Sequence, residues 1–175
     1  FKYRAYNGFM SDKGTDSHKR PSWDEYFIQM ADMVGTRGTC DRGYAGAVIT
    51  KNKRIISTGH AGSPAGLPHC DDVGHEMHTV TAEDGTVSRH CIRTAHAEQN
   101  AIANAARVGV ATEGATIYCK MVPCYICAKM IINAGIIRIV ALRDYHTTKR
   151  SKEIFKEAGI ELVIINNEVE SYKDQ

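Results

Sequence analysis

Long apolar runs are missing from this sequence. No window approaches 18 consecutive apolar residues, and the opening stretch FKYRAYNGFMSDKGTDSHKRPS has no apolar centre of signal-peptide length, so neither membrane insertion nor secretion is indicated. Phe1 in place of Met leaves any earlier targeting segment unread. An excess of one charge is missing too: 22 Lys and Arg face 20 Asp and Glu, for a net charge of +2. No global field draws the chain to nucleic acid or an anionic membrane, and polyanion binding has to be local. There is one Trp, there are four Pro, and no internal repeat or low-complexity tract interrupts 175 residues, which is one domain's worth of sequence with a single sizeable core. An intracellular, cytoplasmic protein is expected.

Cysteine is too scarce for a disulfide framework. The six, at 40, 70, 91, 119, 124 and 127, include three close to histidines, and six of the eight histidines (60, 69, 75, 78, 90 and 96) crowd between residues 60 and 96. In a reducing compartment this composition reads as metal binding.

Residues 1–21 are polar with interleaved aromatics and are expected to form a loose arm or one that packs on a neighbouring subunit, leaving 22–175 as one domain. Ser22 with Glu25 three residues later is a capping box, and Trp23, Tyr26, Phe27, Met30 and Val34 follow at helical spacing to Gly35. Residues 44–50 and 54–59, separated by a polar turn, predict a β-hairpin. Residues 61–94 show no sustained periodicity, and a loop of that length in a compact domain should be functional or tied down. Beyond it the pattern predicts a helix closed by Gly109, a strand over 116–119, a helix from Cys124 to Gly135, a strand over 136–142, a helix over 151–158 and a strand over 162–165. Alternating strands and helices with short connections after an antiparallel hairpin imply an α/β architecture, a mixed five-stranded sheet with helices on both faces. Cys119, ending a strand, reads as a small core residue.

Two segments carry chemistry: His96-Ala97-Glu98, opening one helix, and Pro123-Cys124-Tyr125-Ile126-Cys127, opening the next. Sulfurs at a helix start face free N–H groups and the positive end of the dipole, which favours thiolates and metal binding. His96, Cys124 and Cys127 make three ligands, and zinc held by three protein groups keeps a position for water, whose pKa falls from about 16 towards about 7. Residues i and i+2 on a helix diverge by roughly 200°, so His96 and Glu98 serve one pocket only if the segment lies in the first turn. Glu98 is then the general acid/base. Alone, Cys-x-x-Cys is equally a redox or structural-zinc motif; with His-x-Glu it matches the zinc nucleobase deaminase signature.

The stretches GTCDRGYAGAVITKNKRIISTG, GSPAGLPHCDDVGH, RHCIRTAHAEQNAI and MVPCYICAKMIINAGI, in this order over roughly residues 23–165, resemble the deoxycytidylate (dCMP) deaminase family. The resemblance implies a cytidine deaminase-like three-layer α-β-α sandwich, hydrolytic deamination of dCMP to dUMP feeding thymidylate synthesis, zinc, and a homo-oligomer, commonly a hexamer. It also implies dCTP and dTTP as effectors, with Mg2+ accompanying a triphosphate. Carried onto this chain, hydroxide on zinc attacks C4 of the base, Glu98 shuttles the proton, the Ala97 N–H holds the ring carbonyl, Tyr145 is the aromatic platform and Arg107 meets the phosphate. Two departures stand out: His60-Ala61-Gly62 replaces the usual Tyr-Asn-Gly, putting sugar orientation in doubt, and Ala65 stands where Arg is common. Relatives also bind a second, structural zinc, for which Cys40, Cys70, His75 and Cys91 are the expected ligands here, with His90, His78 or His69 as replacements.

Two other functions compete. A polynucleotide base deaminase needs a basic, aromatic groove beside the zinc, against which the near-neutral charge argues. A zinc-stabilised module without turnover would explain Ala61 but leaves Glu98 without a use. Neither nucleic acid nor membrane is an expected partner.

Overall fold

The computed structural model describes residues 19–81, 87–166 and 168–170. The expected arm lies, up to residue 18, outside them. In chain order the elements are α1 (Trp23–Gly35), β1 (Gly46–Lys51), β2 (Arg54–His60), α2 (Cys70–Val73), β3 (Met77–Thr81), β4 (Val87–Cys91), α3 (Ala97–Arg107), β5 (Thr116–Met121), α4 (Tyr125–Asn133), β6 (Arg138–Tyr145), α5 (Lys149–Glu157), β7 (Glu161–Ile164) and β8 (Val169–Glu170). Among the described residues no helix is long and apolar enough to cross a membrane.

The main sheet runs in the order β2-β1-β5-β6-β7, antiparallel from β2 to β5 and parallel from β5 to β7, and the short β8 adds to the end of β6. The expected mixed sheet is there. Its central strands are apolar on both faces, as strands sandwiched between helix layers must be. Ala47, Ile49, Ile117, Cys119 and Ile139 face α3, α4 and α5 through Ala97, Ala101, Ala128, Ile131 and Phe155. The alternate residues Val48, Tyr118 and Val140 face Phe27, Ile28 and Ala31 of α1. This period-two exchange makes three layers.

Local chemistry sets where each element starts. Ser22 Oγ accepts the Glu25 N–H at 3.2 Å and the Ser22 N–H donates to Glu25 Oε2 at 2.7 Å, the reciprocal cap that the spacing predicts. The hairpin turns through Asn52 and Lys53, both at positive φ (51° and 60°), as a two-residue turn matched to strand twist requires. Two close approaches demand glycine. A Cβ on Gly46 would strike Ala31 O and Gly35 N of α1, and one on Gly59 would strike Ala97 O and Ala101 N of α3. Both helices thereby sit against the hairpin backbone, and Gly59 fixes the first turn of α3, where the chemistry lies.

The segment 61–94 is not structureless. It forms α2 and a detached two-stranded ribbon, β3 with β4. The ribbon lies off the main core and is largely solvent-facing, so no apolar alternation marks it in the sequence. The predicted boundaries of β1 and α5 shift by about two residues, the scatter usual for element ends.

Candidate active site

α3 and α4 begin side by side at the mouth of the sheet, where β5 and β6 end. His96 is the N-cap of α3, with extended backbone (φ −70°, ψ 158°), and its N–H donates to Gln99 Oε1 at 2.8 Å. Cys124 is likewise the N-cap of α4, and Cys127 lies in its first turn. His96 Nδ1 stands 3.4 Å from Cys124 Sγ and 3.4 Å from Cys127 Sγ. Ligands at zinc's usual bond lengths on a tetrahedron place nitrogen and sulfur roughly 3.5 Å apart, so the three donors fit a zinc ion as they stand. Glu98 Oε2 lies 3.8 Å from Cys127 Sγ, on the metal side of the helix turn. The divergence of i and i+2 is resolved because His96 is outside the helix and Glu98 inside it.

Electrostatics bind these groups into one unit. The hydrogen bond shared with Cys127, then the His96 ring, hold the Cys124 thiol far below the ordinary thiol range. Cys127, left with the proton of that shared bond, is pushed up. The Cys124 sulfur raises His96 to about 9, against the effect of burial. Burial pushes Glu98 above the usual carboxylate range, with His96 opposing. A carboxyl group biased towards holding a proton, beside donors that favour a cation, is equipped to move protons between water and a substrate.

The cleft in front of this unit is lined by His96, Ala97, Glu98 and Cys124 on one side and by Met121, Val122, Tyr145 and Thr147 from the ends of β5 and β6. Its remaining wall comes from the β1 side and the ribbon: Cys40, Arg42, Gly43, Ala45, Ala61, His90, Cys91 and Thr94. Tyr145 is positioned by Asp144, whose Oδ1 accepts the Tyr145 N–H and the Thr148 hydroxyl at 2.8 Å each, while Oδ2 meets Lys152 Nζ at 2.5 Å.

A second donor cluster stands behind that wall. Cys40, Cys70, His75 and Cys91 bring one ligand atom each to within 4.8 Å of one another. Cys70 Sγ and Cys91 Sγ are 3.6 Å apart, and Cys40 Sγ is 3.7 Å from His75 Nδ1. Sulfurs on a tetrahedral zinc stand roughly 3.8 Å apart, so this set fits a closed four-ligand ion. His75 Nε2 meets Asp41 Oδ1 at 3.0 Å, the carboxylate partner that fixes which ring nitrogen faces a metal. Burial raises Cys40. Of the alternative ligands, His69 Nδ1 pairs with Thr39 Oγ1 at 2.9 Å, His90 lines the cleft, and His78 sits opposite His90 in the ribbon.

The structure therefore gathers His96, Glu98, Cys124 and Cys127 in one place, Cys40, Cys70, His75 and Cys91 in another, and sets Ala97 and Tyr145 in the cleft wall. Arg107 stands apart, exposed in the last turn of α3 and outside the lining of this chain's cleft. Arg42, His90, Thr94 and Thr147 line the cleft without having been expected there. Arg42 and His90 each carried a signal, Arg42 lying two residues after a candidate ligand, in the turn before β1, and His90 beside another.

Comparison with known proteins agrees with this geometry. Over 142 residues the chain is 41% identical to ComE operon protein 2 of Bacillus subtilis, covering 81% of this chain and 70% of that protein. It is 35% identical to the deoxycytidylate deaminase of Saccharomyces cerevisiae over 142 residues, 81% of this chain but 44% of the yeast protein, so it spans less than half the length of that relative. Among solved structures, the dCMP deaminase of cyanophage S-TIM5 in complex with dCMP and dUMP aligns with a TM-score of 0.65 at 26% identity, over 87% of this chain and 100% of that one. Residues 21–143 match the cytidine and deoxycytidylate deaminase zinc-binding region, and the chain belongs to that family, with its cytidine deaminase-like α/β fold.

Proposed function

We propose that this protein catalyses the hydrolytic deamination of dCMP to dUMP, releasing ammonia, with residues 22–175 acting as one catalytic domain. The observation that carries the reading is the three-donor cluster His96–Cys124–Cys127 opening onto a cleft with Glu98 beside it. The relative solved with dCMP and dUMP and the yeast relative named for the same reaction support the substrate. Zinc bound by His96, Cys124 and Cys127 would supply Lewis acidity and make water nucleophilic at neutral pH. Glu98 takes one proton from the attacking water and delivers it to ring N3, then takes the remaining proton from the new C4 hydroxyl and passes it to the amine as the C4–N bond breaks and the C4 carbonyl forms. The Ala97 N–H, at the start of α3, holds the ring carbonyl, and the Tyr145 ring offers its face to the base.

The four-donor cluster is assigned to a second, structural zinc, supported by its donor set and spacing. Hexamer formation, dCTP and dTTP as effectors, Mg2+ beside a triphosphate and a cytoplasmic location remain parts of the same proposal. The exposed apolar side chains Ile126 and Ile137 favour an oligomer, and Arg107 would serve a phosphate only from a neighbouring copy.

Loss of ultraviolet absorbance on incubation with dCMP, but not with a cytosine-containing oligonucleotide, is the expected result, abolished in Glu98→Ala. Turnover of the oligonucleotide alone would move the assignment to a polynucleotide deaminase. No turnover of any cytosine compound by zinc-loaded protein, with effectors present, would make it a binding module. Zinc content is expected near two per chain; a value near one in the native protein removes the second metal.

A further inference from the structure

Glu98 and the metal donors stand on the starts of α3 and α4, while Ala61 belongs to the wall on the β1 side, just past the end of β2. A base held between them reacts only if the two are correctly spaced, and a misplacement of about 1 Å can cost on the order of 100-fold in rate. What sets that spacing lies in the seam between α3 and β2.

β2 is an edge strand. The Ala61 N–H turns inward to Ala45 O at 2.9 Å, so the carbonyls of Thr58 and His60, out of phase with it, turn to the open edge. Two side-chain amides of α3 meet them there. Asn104 Nδ2 donates to Thr58 O at 3.0 Å, and Asn100 Nδ2 donates to His60 O at 2.8 Å and to Gly62 O at 3.4 Å. Residues four apart on a helix are separated by about 6 Å along its axis and alternate strand residues by about 6.7 Å, so the two amides follow the strand as a further strand would. Neither is there for the sake of the helix, since Asn is a poorer helix former than the alanines that surround both.

The two asparagines differ in what lies beside them. Asn104 grips β2 at Thr58, and neither residue lines the cleft. Asn100 spans Ala61, because its amide takes the carbonyls of the residues on either side, and its backbone N–H donates to His96 O at 3.0 Å. One residue thus holds a metal donor and the wall facing it. Gly62 and Ala95 exchange N–H···O bonds at 3.2 and 3.0 Å, closing the same link from the residue before His96. Asn100 itself does not line the cleft and acts through these neighbours.

We propose that Asn100 is a positioning residue for the deamination, fixing the Ala61 wall in register with Glu98 and His96. The inference rests on the deaminase reading and gives a task to a residue which that reading leaves unused.

The test compares Asn100→Ala with Asn104→Ala in zinc-loaded protein. Each change removes one amide from the same seam and improves helix propensity, so the two melting temperatures should be alike. Asn100→Ala should lower kcat for dCMP at least about 10-fold while dUMP affinity, measured by calorimetry, weakens less than about 3-fold and zinc content holds. Asn104→Ala should keep kcat within about 2-fold of native. Asn100→Asp, equal in size but without the donor, should behave as Asn100→Ala. Native kcat in Asn100→Ala, an equal loss of kcat in Asn104→Ala, or a dUMP affinity that falls as far as kcat overturns the proposal. Loss of zinc or of the folded state in both Asn100 variants also overturns it, by making the residue purely structural. Failure of the deaminase reading shows in the native protein instead, which would bind zinc and leave dCMP unchanged.

Discussion

The two donor clusters are built from opposite materials. His96, Cys124 and Cys127 stand on the starts of two helices packed against the central sheet, whereas Cys40, Cys70, His75 and Cys91 come from turns, a four-residue helix and a polar ribbon with little core beneath them. The first set has a framework without metal and offers three donors; the second has four donors and no comparable framework. An ion in the first has somewhere to present reactivity, while an ion in the second has only chain to hold together. Donor number and supporting structure thus vary inversely, and each cluster's function follows from what it lacks.

The sharpest way to break this contrast is at Glu98. Glu98→Gln should lower kcat by about 1000-fold while zinc content and melting temperature stay near native, because only the proton carrier is gone; a variant that also loses a zinc ion would show Glu98 to be a ligand. Next in size is Cys70→Ala, which should cost about one zinc per chain and roughly 3 kcal/mol or more of stability, since ligand binding there is folding free energy. Cys124→Ala should remove activity at less than about half that stability cost. Thermal melting of the two variants side by side decides the matter, and equal melting points would erase the distinction between framework and clasp.

A third prediction concerns the wall that no metal supports. Asp144 ties the Tyr145 turn to α5 through Thr148 and Lys152, beside the Thr148 N–H and hydroxyl that donate to Tyr145 O, so Asp144→Ala should raise the KM for dCMP about 5- to 10-fold with a smaller change in kcat, and Asp144→Asn, which keeps the acceptor for the Tyr145 N–H, should recover part of it. Unchanged kinetics would show that the sheet end holds Tyr145 unaided. The smallest effect lies at the far end of the sheet. The paired Arg138 guanidinium holds Asp24 below its ordinary value near 3.8, so the pair's stabilisation is present above that value and is lost as pH falls through the lower, folded one. Acid unfolding followed below about pH 4 should be shallower in Asp24→Asn. Identical curves would remove the pair from the acid response.

Why some of this is legible in sequence and some is not follows from periodicity. The cap at Ser22, the hairpin, and the helices opening at His96 and Cys124 are written in local patterns, because each buries a face or satisfies a helix end within a few residues. The three-donor cluster is equally local on each helix and needs only two starts to meet. The β3–β4 ribbon faces water along most of its length and leaves no alternation to read. Arg42 and His90 reach the cleft from segments about 50 residues apart in sequence, brought together only by that ribbon. Arg107, chosen by kinship, sits on an exposed helix end, a place that no local pattern announced.

Cys40 and Cys91 belong at once to the four-donor cluster and to the lining of the cleft. An electrophile that alkylates either sulfur, or a chelator that strips an ion from between them, would therefore disturb the cleft wall on the side away from Glu98. Of the two, only the chelator's effect would be reversed by resupplying the ion, a signature that ordinary pyrimidine mimics do not share.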